Sequence, residues 1–282
     1  MIGTRAIVAD SASYLPVAVR DRYGIITVPL TVVLDGEAYR EFVDLDSATF
    51  YRRLAGGASV STSQPSPGQF IEAFEQAKRL GAEEVVAVLI GSGLSGTVNS
   101  AHLAAELAPL PVRIIDTGQA SFIEGLCVWE ACEALAAGKS VDEAEAAVQR
   151  TAASAGNVFI VRGLELLERG GRMGCTPGTE VEGVPILAFS DGAVRPIGVC
   201  HDVEAALSTM TSYLQSAIAE NPGRTFRVGI SNGAADELAA ALEARVKTFE
   251  FVDEVVQYEV GPSVGAHTGP GCTGIVFVPR PV

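Results

Sequence analysis

The sequence has few of the basic residues on which several protein functions depend. Of 282 residues, 20 are Lys or Arg and 34 are Asp or Glu, which gives a formal net charge of −14 at pH 7. A net negative charge of this size argues against a general nucleic-acid binder and against a protein that binds anionic membrane surfaces, because both need a positive electrostatic field. A small anionic ligand stays compatible with it, because such a ligand responds to the local charge of its site.

Cysteine and histidine are also scarce. There are three histidines and five cysteines, and no two cysteines have CxxC spacing. This pattern indicates reduced thiols and argues against a metal site. The cysteines are Cys127, Cys132, Cys175, Cys200 and Cys272.

Long hydrophobic runs are missing as well. No apolar run approaches the roughly 18 residues of a transmembrane helix. The chain passes from residues 1–5 directly into the strand-like residues 6–9, without a signal-peptide pattern. Because 48% of the residues are hydrophobic, a substantial core can still form. We therefore expect a cytoplasmic protein of one large or two ordinary domains.

Short apolar runs alternate with amphipathic segments in the first half of the chain. Residues 85–90 carry no polar alternation, as expected for a strand covered on both faces. The alternation predicts a parallel sheet with helices on both faces. The predicted strands are 6–9, 25–34, 85–90 and 112–115, and the predicted helices are 16–23, 47–54, 67–80, 98–107, 122–137 and 140–153.

The pattern changes after Asn157, where we expect a second, α+β domain with a mixed sheet. The predicted limits are residues 1–155 for the parallel α/β domain and 156–282 for the second domain. Asp191-Gly192 is a dipeptide typical of hairpins, and His267-Thr268-Gly269-Pro270-Gly271 predicts a sharp turn. The predicted strands are 158–161, 185–189, 194–198, 227–230, 254–260 and 274–278, and the predicted helices are 164–172, 203–219 and 234–247.

The most informative stretch is the loop GSGLSGT at residues 91–97, between a predicted strand and a predicted helix. The first N–H groups of a helix have no partner inside it and carry the positive end of its dipole, so such a loop can hold an anion. A second helix start follows the segment TSQPSP at residues 62–67. There Ser66 and Gln69 form a capping-box pattern, which places Thr62 and Ser63 just ahead of the helix.

Three functions are compatible with these loops. The pattern Gly91-x-Gly93-x-x-Gly96, followed by Asp116 at the end of the next strand, matches the fingerprint of NAD(P)-dependent oxidoreductases. A serine hydrolase with Ser95 as nucleophile and His267 as base is a second possibility, although Thr97 stands where the nucleophile elbow has glycine.

The third possibility is a binding site for a carboxylate or phosphate, held by hydroxyl and backbone donors near Thr62 and Ser95. Charge-assisted hydrogen bonds contribute about 1.5–3 kcal/mol each, so two or three of them fix a headgroup without binding it tightly. A buried alkyl tail would add about 0.8 kcal/mol per methylene.

A set of motifs runs in order through nearly the whole chain: DSASYLP (10–16), VPL (28–30), TSQPSP (62–67), LSGT (94–97) with Ser100-Ala101, Asp116, LERGGR (167–172) and HTGPG (267–271). Together these motifs resemble the DegV family of bacterial fatty-acid-binding proteins. The resemblance implies a two-domain α/β fold with one fatty acid buried between the domains.

The resemblance also implies roles for particular residues. Thr62 and Ser95 would hold the carboxylate, with Ser63, Gly96 and Thr97 in the same two loops, and His267 would lie near the headgroup. By the same resemblance the chain is non-catalytic and has no cofactor besides the bound fatty acid. It carries this ligand to a separate ATP-dependent fatty acid kinase subunit, which makes an acyl phosphate. The basic pair Arg169 and Arg172 would then be where that subunit docks.

One departure from the family pattern stands after Pro196. Family members often carry an arginine there, whereas this chain has His201. Because an unperturbed histidine titrates near pH 6.5, the difference bears on the charge of the headgroup site or on the contact with the kinase.

Overall fold

A computed structural model describes residues 1–174, 182–190 and 192–280. Within them the chain forms two compact units, Met1–Leu45 with Ser61–Ala153 and Asp46–Val60 with Ser154–Val282. The expected fold class is confirmed, because a parallel sheet lies in the first unit and a mixed sheet in the second. The domain limits 1–155 and 156–282 stay a prediction from the sequence.

The first unit is built on a parallel sheet. Its strands are β1 (Arg5–Asp10), β2 (Ile26–Val28), β6 (Glu84–Leu89) and β7 (Val112–Asp116). They lie in the order β2-β1-β6-β7, and each neighbouring pair is parallel. The carboxyl ends of all these strands therefore meet at one edge, which is where open α/β sheets bind their ligands.

Helices of the first unit cover both faces of this sheet. Its helices are α1 (Val17–Tyr23), α3 (Pro67–Arg79), α4 (Thr97–Ala105), α5 (Ser121–Ala136) and α6 (Val141–Ser154). Ala6 and Val8 share one apolar cluster with side chains of α3 and α4. Ile7 and Ala9 alternate to the other face and are equally buried, and α5 packs against β6. Burial on both faces explains why these strands read as continuous apolar runs.

The expectation of one strand over residues 25–34 is wrong. After β2 the chain leaves the sheet at Pro29 and continues as β3 (Thr31–Leu34), which pairs antiparallel with β4 (Glu37–Arg40). Proline has no backbone N–H to donate to a strand ladder, and β2 ends before Pro29 while β3 begins after it. A small sheet in the order β4-β3-β5 is completed by β5 (Val60–Ser63), a strand that the sequence analysis did not predict.

Two helix starts form as the sequence predicts. Ser66 Oγ accepts from the Gln69 N–H at 3.4 Å, and Gln69 Oε1 accepts from the Ser66 N–H at 2.9 Å. Ser140 and Glu143 form the same reciprocal pair at the start of α6. These caps satisfy N–H groups that have no partner within the helix.

The second unit contains a mixed sheet. Within the described residues its strands are β8 (Gly156–Ile160), β9 (Val184–Ser190), β10 (Ala193–Cys200), β11 (Phe226–Gly233), β12 (Val252–Glu259) and β13 (Cys272–Pro279). Their order is β10-β9-β8-β13-β11-β12, and the β11–β12 pair is parallel while the other pairs are antiparallel. The predicted hairpin partners β9 and β10 do pair, and Asp191 of the predicted turn lies outside the described residues.

Helices of the second unit are α2 (Ser47–Ala55), α7 (Glu165–Arg169), α8 (Val203–Glu220), α9 (Asp236–Val246) and α10 (Pro262–Thr268). Side chains of α8 and α9 share an apolar cluster with strands β8, β11 and β13. The helix α10 was not predicted. His267 lies in its last turn rather than in the predicted sharp turn. The predicted sharp turn follows it, at Gly269 (φ 72°) and Gly271 (φ 89°).

Among the described helices, none combines the length and apolar character that a bilayer crossing requires. In the same residues Cys127, Cys132, Cys200 and Cys272 are free thiols, and Cys175 lies outside them.

Candidate functional site

The 91–97 loop connects β6 to α4 by a tight turn. The N–H groups of Leu94 and Ser95 donate to the carbonyl of Gly91 at 2.9 and 3.2 Å. Gly96 is the residue before the helix, and it has no side chain with which to cap the helix. The start of α4 therefore keeps the unsatisfied N–H groups and positive dipole end that favour an anion.

Ser95 and Thr97, two of the predicted ligand-binding residues, are joined directly. Ser95 Oγ and Thr97 Oγ1 lie 2.8 Å apart, and either can donate. Thr97 is fully buried and Ser95 is partly exposed. The buried threonine thus holds the hydroxyl of the more accessible serine in one place.

The 62–67 segment comes to the same loop through Gln64, a residue that the sequence analysis did not single out. A Cβ added to Gly96 would lie only 3.0 Å from Cδ of Gln64. Thr62 and Ser63 lie in β5 just before Gln64, Thr62 partly buried and Ser63 exposed. The structure therefore places the predicted residues on two segments that touch at Gln64 and Gly96: Thr62 and Ser63 at the end of β5, and Ser95, Gly96 and Thr97 at the start of α4.

The glycine fingerprint has a structural explanation. A Cβ on Gly91 would lie 2.6 Å from the carbonyl carbon of Gly118, so residue 91 must be small for the two loops to meet. Asp116 accepts from the N–H groups of Ser92 at 3.2 Å and Gly118 at 2.9 Å. Asp116 therefore ties these loops together rather than standing free for a ribose.

His267 belongs to the second unit, where it lies at the end of α10 against the glycines after α7. A Cβ on Gly170 would lie 2.2 Å from Nδ1 of His267, so glycine at 170 makes room for the imidazole. Burial, and then the nearby Arg172 guanidinium, lower the pKa of His267 to about 4. The ring is therefore neutral at physiological pH.

Of the basic pair, Arg172 lies close to this histidine. Arg172 is partly buried and donates to the carbonyl of Gly170. Arg169, the last residue of α7, is exposed. His201 also lies in the second unit, two residues before α8. Its Nε2 is 3.0 Å from Oδ2 of Asp202, and its side chain is 82% exposed.

In the parts of the chain that the structure describes, no group of three or more His, Cys, Asp or Glu side chains is placed to hold a metal ion. The polar groups of the loops are hydroxyls, amides and backbone N–H groups. Such groups bind a carboxylate or a phosphate directly.

Comparison with known proteins identifies the family of this chain over nearly its whole length. Residues 4–280 match the model of the DegV family, which is described as an uncharacterised protein family. A DegV domain-containing protein of Streptomyces coelicolor is 34% identical over 279 residues, covering 98% of both chains.

Solved structures of the same family share the fold. A fatty-acid-binding DegV family protein of Thermus thermophilus superposes with a TM-score of 0.91 at 32% identity, covering 98% of this chain and 100% of its own. DegV of Bacillus subtilis, a fatty acid binding protein, gives 0.88 at 26% identity, covering 98% and 99%. A stearic acid-binding protein of Eubacterium ventriosum gives 0.87 at 25% identity, covering 98% of each chain. Motifs, fold and relatives agree, and the chain belongs to the DegV family.

Proposed function

We propose that this protein binds a long-chain fatty acid, holds its carboxylate with Thr62 and Ser95, and presents it to a separate ATP-dependent kinase subunit that forms the acyl phosphate. The observation that carries the proposal is the Ser95–Thr97 hydroxyl pair at the uncapped start of α4. The description of the Thermus thermophilus and Bacillus subtilis relatives as fatty-acid-binding proteins supports it.

The hydroxyl pair suits a carboxylate for a simple reason. When Thr97 donates to Ser95 Oγ, the Ser95 proton is left to donate to a ligand oxygen. A hydrogen bond to a charged group contributes about 1.5–3 kcal/mol, and the N–H groups at the start of α4 add a favourable dipole. Thr62 would supply a second hydroxyl from β5. The acyl tail provides most of the affinity, at about 0.8 kcal/mol per buried methylene.

The assignment of His267 to the headgroup stays a prediction from the family resemblance, and a neutral ring would act there as a donor. Its pKa, lowered to about 4, keeps the imidazole uncharged at pH 7. A neutral ring donates one N–H to a carboxylate without a buried cation. We assign the backbone of Ser63, Gly96 and Thr97 a supporting role around the same carboxylate.

The two enzymatic alternatives fit these observations less well. For the dinucleotide fold, Gly91 packs on Gly118 and Asp116 binds loop N–H groups, so two fingerprint residues already have partners within the protein. For a hydrolase, Ser95 Oγ bonds Thr97, which is no base. A histidine with a pKa of about 4 is also a weak general base, because the best catalytic pKa lies near the working pH.

We therefore assign this chain a carrier role, with catalysis in the partner and no cofactor of its own. The exposed Arg169 and the adjacent Arg172 form a basic spot on a chain of net charge −14, and we propose that the kinase subunit docks there. We also propose that the protein works in the cytoplasm and in lipid metabolism, since the reaction uses ATP and an acyl chain.

Mass spectrometry of lipid released from the purified protein tests the proposed function. We expect a long-chain fatty acid at up to one molecule per chain. Ser95→Ala and Thr62→Ala should each weaken fatty acid binding about tenfold or more, the equivalent of one charge-assisted hydrogen bond.

Ser92→Ala is the matched control, because Ser92 is an exposed hydroxyl in the same loop and is not assigned to the ligand. Lipid-free protein with no measurable fatty acid binding would refute the function. Unchanged affinity in Ser95→Ala would refute only the headgroup assignment.

A further inference from the structure

Three carboxyl side chains that are not assigned to the ligand are buried in the first unit. Asp10 and Glu124 are fully buried, and Glu41 is 1% exposed. Burying an ionised carboxylate without partners is costly, so such groups bind donors or stay neutral. The three side chains meet this requirement in different ways.

Asp10 connects the end of β1 to the 91–97 loop. Its Oδ2 accepts from the N–H of Ile90 at 2.8 Å, and its Oδ1 accepts from the N–H of Ala12 at 3.0 Å. Ile90 is the residue directly before Gly91. The carboxylate of Asp10 therefore fixes the point from which the headgroup loop starts.

Glu41 has donors on both oxygens. The hydroxyl of Ser11 donates to Oε2, and the hydroxyl of Tyr14 donates to Oε1 at 3.3 Å. Ser11 in turn accepts from the N–H of Leu30 at 2.9 Å. Glu41 is thus supplied with hydrogen bonds as an ionised carboxylate.

Glu124 differs from both. It lies in α5, and its neighbour Gly125 lets the helix approach so closely that a Cβ there would be 2.2 Å from the carbonyl oxygen of Ser13. Neither carboxyl oxygen of Glu124 accepts a hydrogen bond from a donor in the described residues. The charged group that acts on it most strongly is the carboxyl group of Asp10. The two residues lie on segments that pack together, since Gly125 lies against Ser13, three residues after Asp10.

Two carboxyl groups can share a hydrogen bond only if one of them carries a proton. Asp10 accepts two backbone N–H groups, which favour its charged form, and Glu124 accepts none. We propose that Glu124 keeps its proton in the folded protein and donates it to the Asp10 carboxylate, so that Glu124 is a positioning residue for the 91–97 loop.

The surrounding groups also favour a proton on Glu124 rather than on Asp10. Burial, then the charge of Asp10 and that of Glu41, raise the pKa of Glu124 well above its usual value. Burial raises the pKa of Asp10 to about 7, while the Ile90 and Ala12 N–H groups and the Glu124 hydrogen bond hold it down. The thiol of Cys127 also faces Glu124, and burial raises its pKa, so it stays neutral. Above pH 7 the pair therefore carries one proton, on Glu124.

The infrared spectrum tests the proton directly and needs no ligand. At pH 8 we expect the C=O stretch of a protonated carboxyl group in the wild-type protein and its loss in Glu124→Gln. Absence of the band from the wild type, or its survival in Glu124→Gln, would overturn the proposal.

The positioning role is tested with two variants of similar volume, Glu124→Gln and Glu124→Leu. The glutamine amide can still donate to Asp10, whereas leucine fills the space without donating. The Ile90 amide resonance in ¹⁵N-¹H NMR spectra should stay near its wild-type position in Glu124→Gln and move in Glu124→Leu. The same Ile90 resonance position in both variants would overturn the positioning role, because it would mean that Glu124 only fills space, which glutamine and leucine do equally well. If Glu124→Leu does not fold, a displaced Ile90 resonance in Glu124→Gln would be enough to overturn it.

A binding measurement links the pair to the headgroup, and this step rests on the proposed function. Fatty acid affinity should be within about twofold of wild type in Glu124→Gln and fall about tenfold in Glu124→Leu. If neither variant loses fatty acid affinity, the Asp10–Glu124 pair does not contribute to ligand binding. Failure of the wild type itself to bind fatty acid would refute the proposed function and leave the infrared and Ile90 results standing.

Discussion

Gly91 and Gly118 pack backbone against backbone, so closely that a Cβ on Gly91 would lie 2.6 Å from the carbonyl carbon and 2.8 Å from Cα of Gly118. The N–H of Gly91 also donates to the carbonyl of Gln119 at 2.7 Å. The loops that follow β6 and β7 are thereby joined at the carboxyl edge of the sheet. This contact explains the first glycine of a pattern that otherwise suggests a dinucleotide site.

We expect Gly91→Ala to destabilise the protein by about 1–3 kcal/mol, the usual cost of forcing an extra methyl group into a packed position. Gly93→Ala is the matched control, because nothing lies within 4 Å of a Cβ at residue 93. Urea unfolding of the two variants measures the difference. Equal stability of Gly91→Ala and Gly93→Ala would contradict the close approach of the two loops.

The protein should lose stability in acid through His267. Its pKa falls from 6.5 to about 4 on folding, because burial and Arg172 disfavour the charged ring. The unfolded chain therefore binds more protons between these values. The contribution is complete above pH 6.5 and disappears as the pH falls through 4. We expect the wild type to lose about 3 kcal/mol more than His267→Gln, which has no titrating ring, in urea unfolding across pH 4–7.

Arg172→Gln provides the control for that prediction. Removing the guanidinium removes a positive charge near the imidazole, so the pKa of His267 should rise in the variant. Burial, the larger cause, remains. NMR titration of the imidazole signals follows the change. A lower pKa in Arg172→Gln would contradict the electrostatic contact.

The Asp10–Glu124 pair should act on stability in the opposite direction. Both carboxyls have pKa values raised by burial, so the folded protein binds more protons than the unfolded chain, and stability falls as the pH rises from about 4 through 7. Each extra proton bound by the folded protein changes the slope of the unfolding free energy against pH by about 1.4 kcal/mol per pH unit.

Between pH 5 and 8 the plots of unfolding free energy against pH should therefore differ in slope between wild type and Glu124→Gln, by the equivalent of up to one bound proton. In this range the thiols of the unfolded chain stay largely protonated. Glu106→Gln, at an exposed glutamate, controls for the loss of a negative charge. Identical pH profiles for wild type and Glu124→Gln would mean that Glu124 is ionised in the folded protein.

Arg169 allows fatty acid binding and kinase docking to be separated. Because Arg169 is exposed at the end of α7, Arg169→Glu should leave fatty acid affinity unchanged. It should slow acyl-phosphate formation at least tenfold when the chain is supplied to a fatty acid kinase catalytic subunit. Arg245→Glu, at a partly exposed arginine on α9, is a control for reversed charge. Equal rates with both variants would place the docking surface elsewhere.

Local patterns predicted most helices and strands because their causes are local. The Ser66–Gln69 cap and the continuous apolar run of β6 depend on residues that are neighbours in the chain. The strand β5 was missed because STSQ (61–64) looks like a segment that caps a helix, and its strand character comes from pairing with β3. Short strands of this kind are stabilised by their partners rather than by their own sequence.

The candidate site was predictable only in part. Hydroxyls ahead of helix starts pointed to Thr62 and Ser95. The role of Gln64 needs the approach of Gly96, which no spacing reveals. Glu124 carried a faint signal, as a charged residue in the otherwise apolar start of α5, but its partner is 114 positions away in the chain, at Asp10.

By itself, the sequence determined the fold class, the family resemblance and the hydroxyl loops, because apolar periodicity, helix caps and ordered motifs are encoded in short stretches. Only the tertiary structure decided what the glycines at 91 and 96 are for, the neutral state of His267 and the proton between Asp10 and Glu124. A pKa and a close approach depend on burial and on partners far along the chain, and both exist only once the chain has folded.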